Sequence, residues 1–87
     1  MNTKQILIKA KGLIDSPEKW HKGGWYANND PSCMCALMAI MRCDDGNESG
    51  HFALQTFCTD SIVFFNDHPD TTHEDIMNLF DKAIAAA

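Results

Sequence analysis

The feature that most constrains this chain is the run at residues 33–43, C-M-C-A-L-M-A-I-M-R-C, which carries no charge before Arg42. Ser32 precedes the run and has the chemistry of a helix N-cap. A helix that is apolar on every side is usually the buried centre of a bundle. The run therefore predicts a central helix over residues 33–43, with the other elements packed around it.

Apolar residues at helical spacing predict a first and a last helix at the two ends of the chain. The residues of these two stripes are Ile6, Leu7, Ala10, Leu13, Ile14 and Ile76, Leu79, Phe80, Ala83, Ile84, Ala87. Ser16-Pro17 predicts a short turn, and residues 52–58 a third helix. The stretch 61–65 suits either a helix or a buried strand, and we favour a helix because a lone strand would lack a partner. The sequence thus predicts one all-α domain over residues 1–87, with about four main helices.

The charge of the chain is distributed unevenly. Residues 1–22 carry five lysines and two acids, a net +3, whereas residues 23–87 carry a net −8. Only Arg42 and Lys82 are basic beyond residue 22, which disfavours a nucleic-acid partner. No apolar stretch is long enough for a signal peptide or a membrane span, so we expect a soluble, cytoplasmic protein without membrane contact.

Residues 65–76, F-N-D-H-P-D-T-T-H-E-D-I, concentrate polar side chains between two predicted helices. Asn66 is a residue type that accepts a left-handed backbone at a helix C-terminus, and Pro69 prevents the helix from continuing. Two pairs have the spacing of a capping box: Thr72 with Asp75, and Thr71 with Glu74. These residues are therefore predicted first as a joint between helices.

A cysteine nucleophile is the catalytic alternative. Cys35 would lie in the first turn of the central helix, where the helix dipole lowers a thiol pKa, with His73 as base and Asn66 or Asp67 orienting it. Such a site would belong to a small hydrolase or transferase. A thiol embedded in an apolar helix is inert, however, and the chain has little material for a substrate cleft. Packing is therefore the favoured interpretation of Cys35.

A zinc site is the second chemical alternative. The possible ligands are four cysteines and four histidines: Cys33, Cys35, Cys43, Cys58, His21, His51, His68 and His73. On a helix, Cys33 and Cys35 would point about 200° apart, unlike the ligands of a zinc knuckle. A set of Cys35, Cys43, His51 and Cys58 stays open on spacing alone. We predict free thiols, no metal and no cofactor.

Three segments resemble a family of small uncharacterised proteins from bacteria and their phages. They are C-A-L-M-A at 35–39, N-D-H-P-D-T-T-H at 66–73 and L-F-D-K-A-I at 79–84. The chain departs from the family pattern at three positions. Met38 replaces a glycine, Phe65 replaces a tryptophan and Thr71 replaces an arginine. The resemblance implies no assigned activity, and a family site that depended on the arginine is not expected here.

The combined pattern predicts a non-enzymatic protein-binding module. The resemblance adds the expectation of a phage accessory protein that modulates a host or bacterial protein. The predicted contact surface is acidic: Asp44, Asp45, Glu48, Asp67 and Asp70. The rings of Trp25 and Tyr26 are expected to fold back onto the domain, with a partner surface as the alternative.

Overall fold

The computed structural model of the chain describes residues 2–27, 30–44, 46 and 48–87. These residues form five α-helices, one 3-10 turn and a two-stranded antiparallel sheet. In chain order the elements are α1 (Thr3–Leu13), the 3-10 turn (Pro17–Lys19), β1 (Tyr26–Ala27), β2 (Asp30–Met34), α2 (Ala36–Cys43), α3 (Ser49–Gln55), α4 (Ile62–Asp67) and α5 (His73–Ala86). The fold is mixed, helical with a small sheet, and the all-α prediction is wrong.

The error lies at the start of the predicted central helix. Cys33 belongs to β2, and Cys35 is the N-cap of α2 in an extended conformation, so the helix begins at Ala36. The preceding aromatic loop folds back and supplies strand partners: the N–H of His21 donates to the Met34 carbonyl at 2.9 Å, and the N–H of Cys35 to Trp25 at 3.0 Å. A strand pairing between distant residues is invisible to helical periodicity, which made the run look continuous.

The segment 61–65, for which the sequence left a helix and a buried strand open, is helical. Ile62–Asp67 forms α4, and the Ser61 hydroxyl accepts a hydrogen bond from the N–H of Phe64 at 3.0 Å. The capping box at the start of α5 is also confirmed. The hydroxyl of Thr72 accepts from the N–H of Asp75 at 3.2 Å, and the carboxylate of Asp75 accepts from the N–H of Thr72 at 2.9 Å.

The core is built where α1 packs against α2, α3 and α5, and α2 packs against α3 and α4. Its largest fully buried side chains include Phe80, Ile6, Leu7, Ile14, Met34, Ile40, Leu54, Ile62 and Ile76. Gly50 allows α3 to approach closely, because an added Cβ would lie 2.7 Å from Ile6 and 3.0 Å from Ile40. Among the described residues, no helix has the length and apolar character needed to cross a membrane.

Candidate functional site

Asn66 is the centre of a buried polar network. Its side chain is fully buried, and its oxygen accepts hydrogen bonds from Trp20 Nε1 at 2.6 Å and from the N–H of Ala36 at 3.0 Å. Its amide nitrogen donates to the His21 carbonyl at 3.0 Å and to Asp67 Oδ1 at 2.9 Å. These four bonds use the full capacity of an amide side chain. Asn66 therefore ties the Trp20–His21 segment and the start of α2 to α4.

The backbone role predicted for Asn66 is not observed. It lies within α4, and Glu48 is the single non-glycine residue of the described chain with a positive φ. A buried amide that bonds three segments explains the residue better than a left-handed turn does. Spacing within the joint gave no sign of this, because two of its partners are 45 and 46 positions away.

The loop after Trp20 is held against the joint by two further residues. The carboxylate of Asp67 accepts a hydrogen bond from the N–H of Gly23 at 2.9 Å. The ammonium group of Lys22 donates to the carbonyl oxygens of His68, at 2.8 Å, and of Thr71. The sequence gives no sign of this role, because the carbonyl partners of Lys22 are 46 and 49 positions away.

His73 makes a structural contact at the start of α5. Its Nε2 lies 2.7 Å from the carbonyl oxygen of Ile14, which follows α1. A carbonyl can only accept, so this contact requires the proton on Nε2. The His73 ring also lies against Trp20, with 5.9 Å between ring centroids. The residue thus joins α5 to the end of α1.

Cys35 is buried, with 1% of its surface exposed. Burial raises the pKa of its thiol, the N–H groups of Met38 and Leu37 partly lower it, and the charge of Asp67 raises it again. Because the thiolate is the nucleophilic form, a raised pKa makes the sulfur less reactive near neutral pH. The hydrogen bonds among the described residues do not join Cys35 to His73, whose Nε2 contacts Ile14 instead.

The cysteines do not form a cluster. All four are free thiols, with Cys33 in β2, Cys35 at the start of α2, Cys43 at its end and Cys58 after α3. Within the described ranges, no group of three or more His, Cys, Asp or Glu side chains is placed to hold a metal ion.

The predicted acidic surface is divided between two connections. Asp44 and Glu48 lie between α2 and α3, where Asp44 Oδ2 is 3.5 Å from the N–H of His51. Asp45 lies outside the described residues. Asp67 is the last residue of α4 and is half-buried, whereas Asp70 lies between α4 and α5 and is exposed.

The aromatic residues of the loop after Trp20 behave differently from one another. Trp20 and Tyr26 are partly buried against the core, as expected for rings that fold back onto the domain. Trp25 does not follow this expectation, since 61% of its surface is exposed. The backbone of Trp25 pairs with Cys35 while its side chain points away from the core.

A series of clefts lies beside α4, and the sequence did not reveal it. One cleft of about 440 Å³ has Phe57, Phe65 and Leu79 among its walls. Phe65 also lines a second cleft, which contains Asp60. Phe64 lines both this second cleft and a third one, which contains Asp67. Phe57 also borders a cleft next to the end of α5. We call this series, with Phe57, Phe64 and Phe65 as shared walls, the phenylalanine furrow.

The walls of the furrow are accessible to solvent. The exposed fraction is 59% for Phe64 and 43% for Phe57. A signal for this was present in the sequence: Ile62, Val63, Phe64 and Phe65 are consecutive, and a short helix cannot turn four consecutive side chains toward one core. At least one of the four had to remain outside.

Comparison with known proteins gives a family but no function. A family model described as "Family of unknown function (DUF6197)" matches residues 1–86. The chain therefore belongs to this family, which confirms the expected membership of a family without an assigned activity. No curated protein and no solved structure matches the chain.

Proposed function

We propose that this DUF6197 protein is a non-enzymatic protein-binding module and that the phenylalanine furrow is its contact surface. The observation that carries the proposal is the exposure of Phe57 and Phe64 along neighbouring clefts. Exposed aromatic side chains that border concave surfaces are typical of interaction sites, since burying them against a partner removes a large apolar area from water.

The hydrogen bonds and the burial of the candidate catalytic residues support the same proposal. Asn66 uses its full hydrogen-bonding capacity inside the protein, and His73 Nε2 contacts the Ile14 carbonyl. Cys35 is buried and has a raised thiol pKa. Residues that would carry catalysis in the alternative hypothesis thus have structural roles, whereas the exposed walls of the furrow remain open to a partner.

The predicted acidic surface enters the proposal in part. Asp67 and Asp70 line the furrow, so they remain candidate contact residues. Trp25, Asp44 and Glu48 lie on other segments, and we propose them as secondary contacts for a large partner. As the motif resemblance implies, we propose that the partner is a bacterial protein, which would be the host's if a phage encodes this chain.

Photocrosslinking in cells tests the proposal. A benzophenone amino acid replaces Phe64 in one variant and Ile8 in another; Ile8 is a matched control because it is 52% exposed on α1. We expect a discrete crosslinked protein from position 64 and none from position 8. Adding Phe57→Asp to the position 64 variant should abolish that product. Equal products from both positions, or no product from position 64, would refute the furrow as the contact surface.

A further inference from the structure

We infer that the furrow receives a basic amphipathic segment of its partner, which carries arginine or lysine on its polar face and apolar anchors on the other. This inference rests on the proposed function and names the chemistry of the partner. The apolar anchors would pack against the exposed phenylalanine walls, and the cationic groups would lie opposite the carboxylates of the rim.

The rim is strongly unbalanced in charge. Four carboxylates border the furrow, against the single ammonium group of Lys82 among its described lining residues. They belong to Asp60, Asp67, Asp70 and Asp75. This imbalance matches the net −8 of residues 23–87 and would repel a nucleic acid or an anionic membrane surface.

Two of these carboxylates are available to a partner. The side chains of Asp60 and Asp70 are exposed and make no hydrogen bond or ion pair with the described part of the chain. Asp67, in contrast, already accepts hydrogen bonds from Gly23 and Asn66. A carboxylate without an internal partner beside an apolar wall gains most from an added cation.

The walls themselves favour a cation with an apolar stem. Phe64 lines the same cleft as Asp60, and Phe57 the same cleft as Asp70, and both rings are exposed. A guanidinium group can stack on an aromatic ring while it bonds a carboxylate, and its methylene stem can pack along the same ring. An acidic segment would place like charges at the rim, and a neutral one would leave the carboxylates without new partners.

A defined set of peptides tests the inference. The probes are fluorescein-labelled 14-residue amphipathic peptides with leucine at positions spaced by three and four, and with arginine, citrulline or glutamate at the polar positions. Citrulline keeps the shape of arginine and removes its charge. We expect the arginine peptide to bind the protein at least about tenfold more tightly than the citrulline peptide, with the difference reduced by added salt. We expect no measurable binding of the glutamate peptide.

Variants of the protein localise the effect. The double variant Asp60→Asn, Asp70→Asn should bind the arginine peptide about five- to tenfold more weakly than the wild type does. Glu18 is an exposed acid on the 3-10 turn, and the control variant Glu18→Gln should leave the affinity unchanged. Phe64→Ser, which removes the ring without adding a charge, should weaken binding of both the arginine and the citrulline peptides. Equal affinity for the arginine and citrulline peptides, no binding of the arginine peptide, or equal effects of the aspartate and Glu18 variants would overturn the inference.

The outcomes separate the inference from the proposed function. If crosslinking at position 64 captures a partner whose binding is insensitive to Asp60→Asn and Asp70→Asn, the furrow is the contact surface and the charge inference fails. If position 64 captures nothing that position 8 does not, the proposed function fails first.

Discussion

The joint at residues 65–76 and the exposed phenylalanines of the furrow beside it show opposite relations between residue type and role. The joint is rich in groups that could do chemistry, yet Asn66, Asp67 and His73 bond internal partners. The furrow is built from phenylalanines that suggest a core, yet Phe64 is 59% exposed. Polar residues stabilise the fold here and apolar residues meet the solvent. For so small a domain, the exposed residues that do not stabilise the fold are therefore the better guide to function.

The largest expected effect is that of removing the buried amide. Asn66→Ala would leave Trp20 Nε1, the Ala36 N–H and the His21 carbonyl without their partner in the interior. We expect a loss of about 3–5 kcal/mol in the free energy of unfolding. Urea unfolding followed by tryptophan fluorescence measures it. Asn78→Ala, at an exposed position of α5, is the control and should change stability by less than about 0.5 kcal/mol. Similar losses for the two variants would refute the structural role of the joint.

Alkylation of native protein compares the buried thiol with a half-buried one. Cys35 is 1% exposed and has a raised thiol pKa, so iodoacetamide at neutral pH should modify it at least about tenfold more slowly than Cys33. Peptide mass spectrometry of quenched samples gives both rates. Faster reaction at Cys35 than at Cys33 would revive the cysteine nucleophile and weaken the contrast between joint and furrow.

Lys22 gives a smaller effect on stability. Lys22→Met removes the ammonium group that bonds the carbonyl oxygens of His68 and Thr71, and we expect a loss of about 1 kcal/mol in the free energy of unfolding. Lys19→Met is the matched control, because Lys19 makes an exposed ion pair with Asp15 at 3.5 Å. It should cost less than about 0.5 kcal/mol. If both lysines contribute equally, the loop after Trp20 is not held by Lys22.

Asp75 supplies the smallest expected effect, which depends on pH. Hydrogen bonds from Thr72 lower the pKa of its carboxyl group in the folded protein. The stabilisation from this carboxylate is therefore present above the unfolded-state pKa and is lost as the pH falls through the folded-state pKa. Asp75→Asn should flatten the acid side of the curve of stability against pH, measured by thermal unfolding. Glu74 is the exposed neighbour of Asp75 in the first turn of α5, and the control Glu74→Gln should change the dependence of stability on pH less than Asp75→Asn does. Equal changes in the two variants would contradict the capping role of Asp75.

Local patterns predicted the local elements, and long-range contacts explain what they missed. The three-four spacing from Ile76 and the pairing of Thr72 with Asp75 were sufficient to predict α5 and its cap, because both depend on neighbours within two turns. The sheet was missed because β2 finds its partner in an irregular glycine-containing loop. The furrow was missed because every apolar residue at 62–65 was expected to be buried. One face of a short helix cannot bury four consecutive side chains.

The same distinction applies to the candidate site. Cys35 and His73 were paired as nucleophile and base because of their residue types alone. Residue type does not show that Ile14 and Trp20 contact the imidazole of His73. Lys22 was missed because its bonding partners are carbonyl oxygens of a distant loop. Side-chain types identify chemistry that is possible, and the packing of the chain decides which groups are still free to perform it.

Our central proposal is that partner binding depends on the exposed walls and free carboxylates of the furrow and not on Cys35, Asn66 and His73. The most direct test measures, for Phe64→Asp and Cys35→Ser, both the free energy of unfolding and the affinity for the partner captured by crosslinking. We expect Phe64→Asp to abolish binding with a nearly unchanged free energy of unfolding, and folded Cys35→Ser to bind as the wild type does. Loss of binding or activity in folded Cys35→Ser, with binding retained by Phe64→Asp, would contradict it.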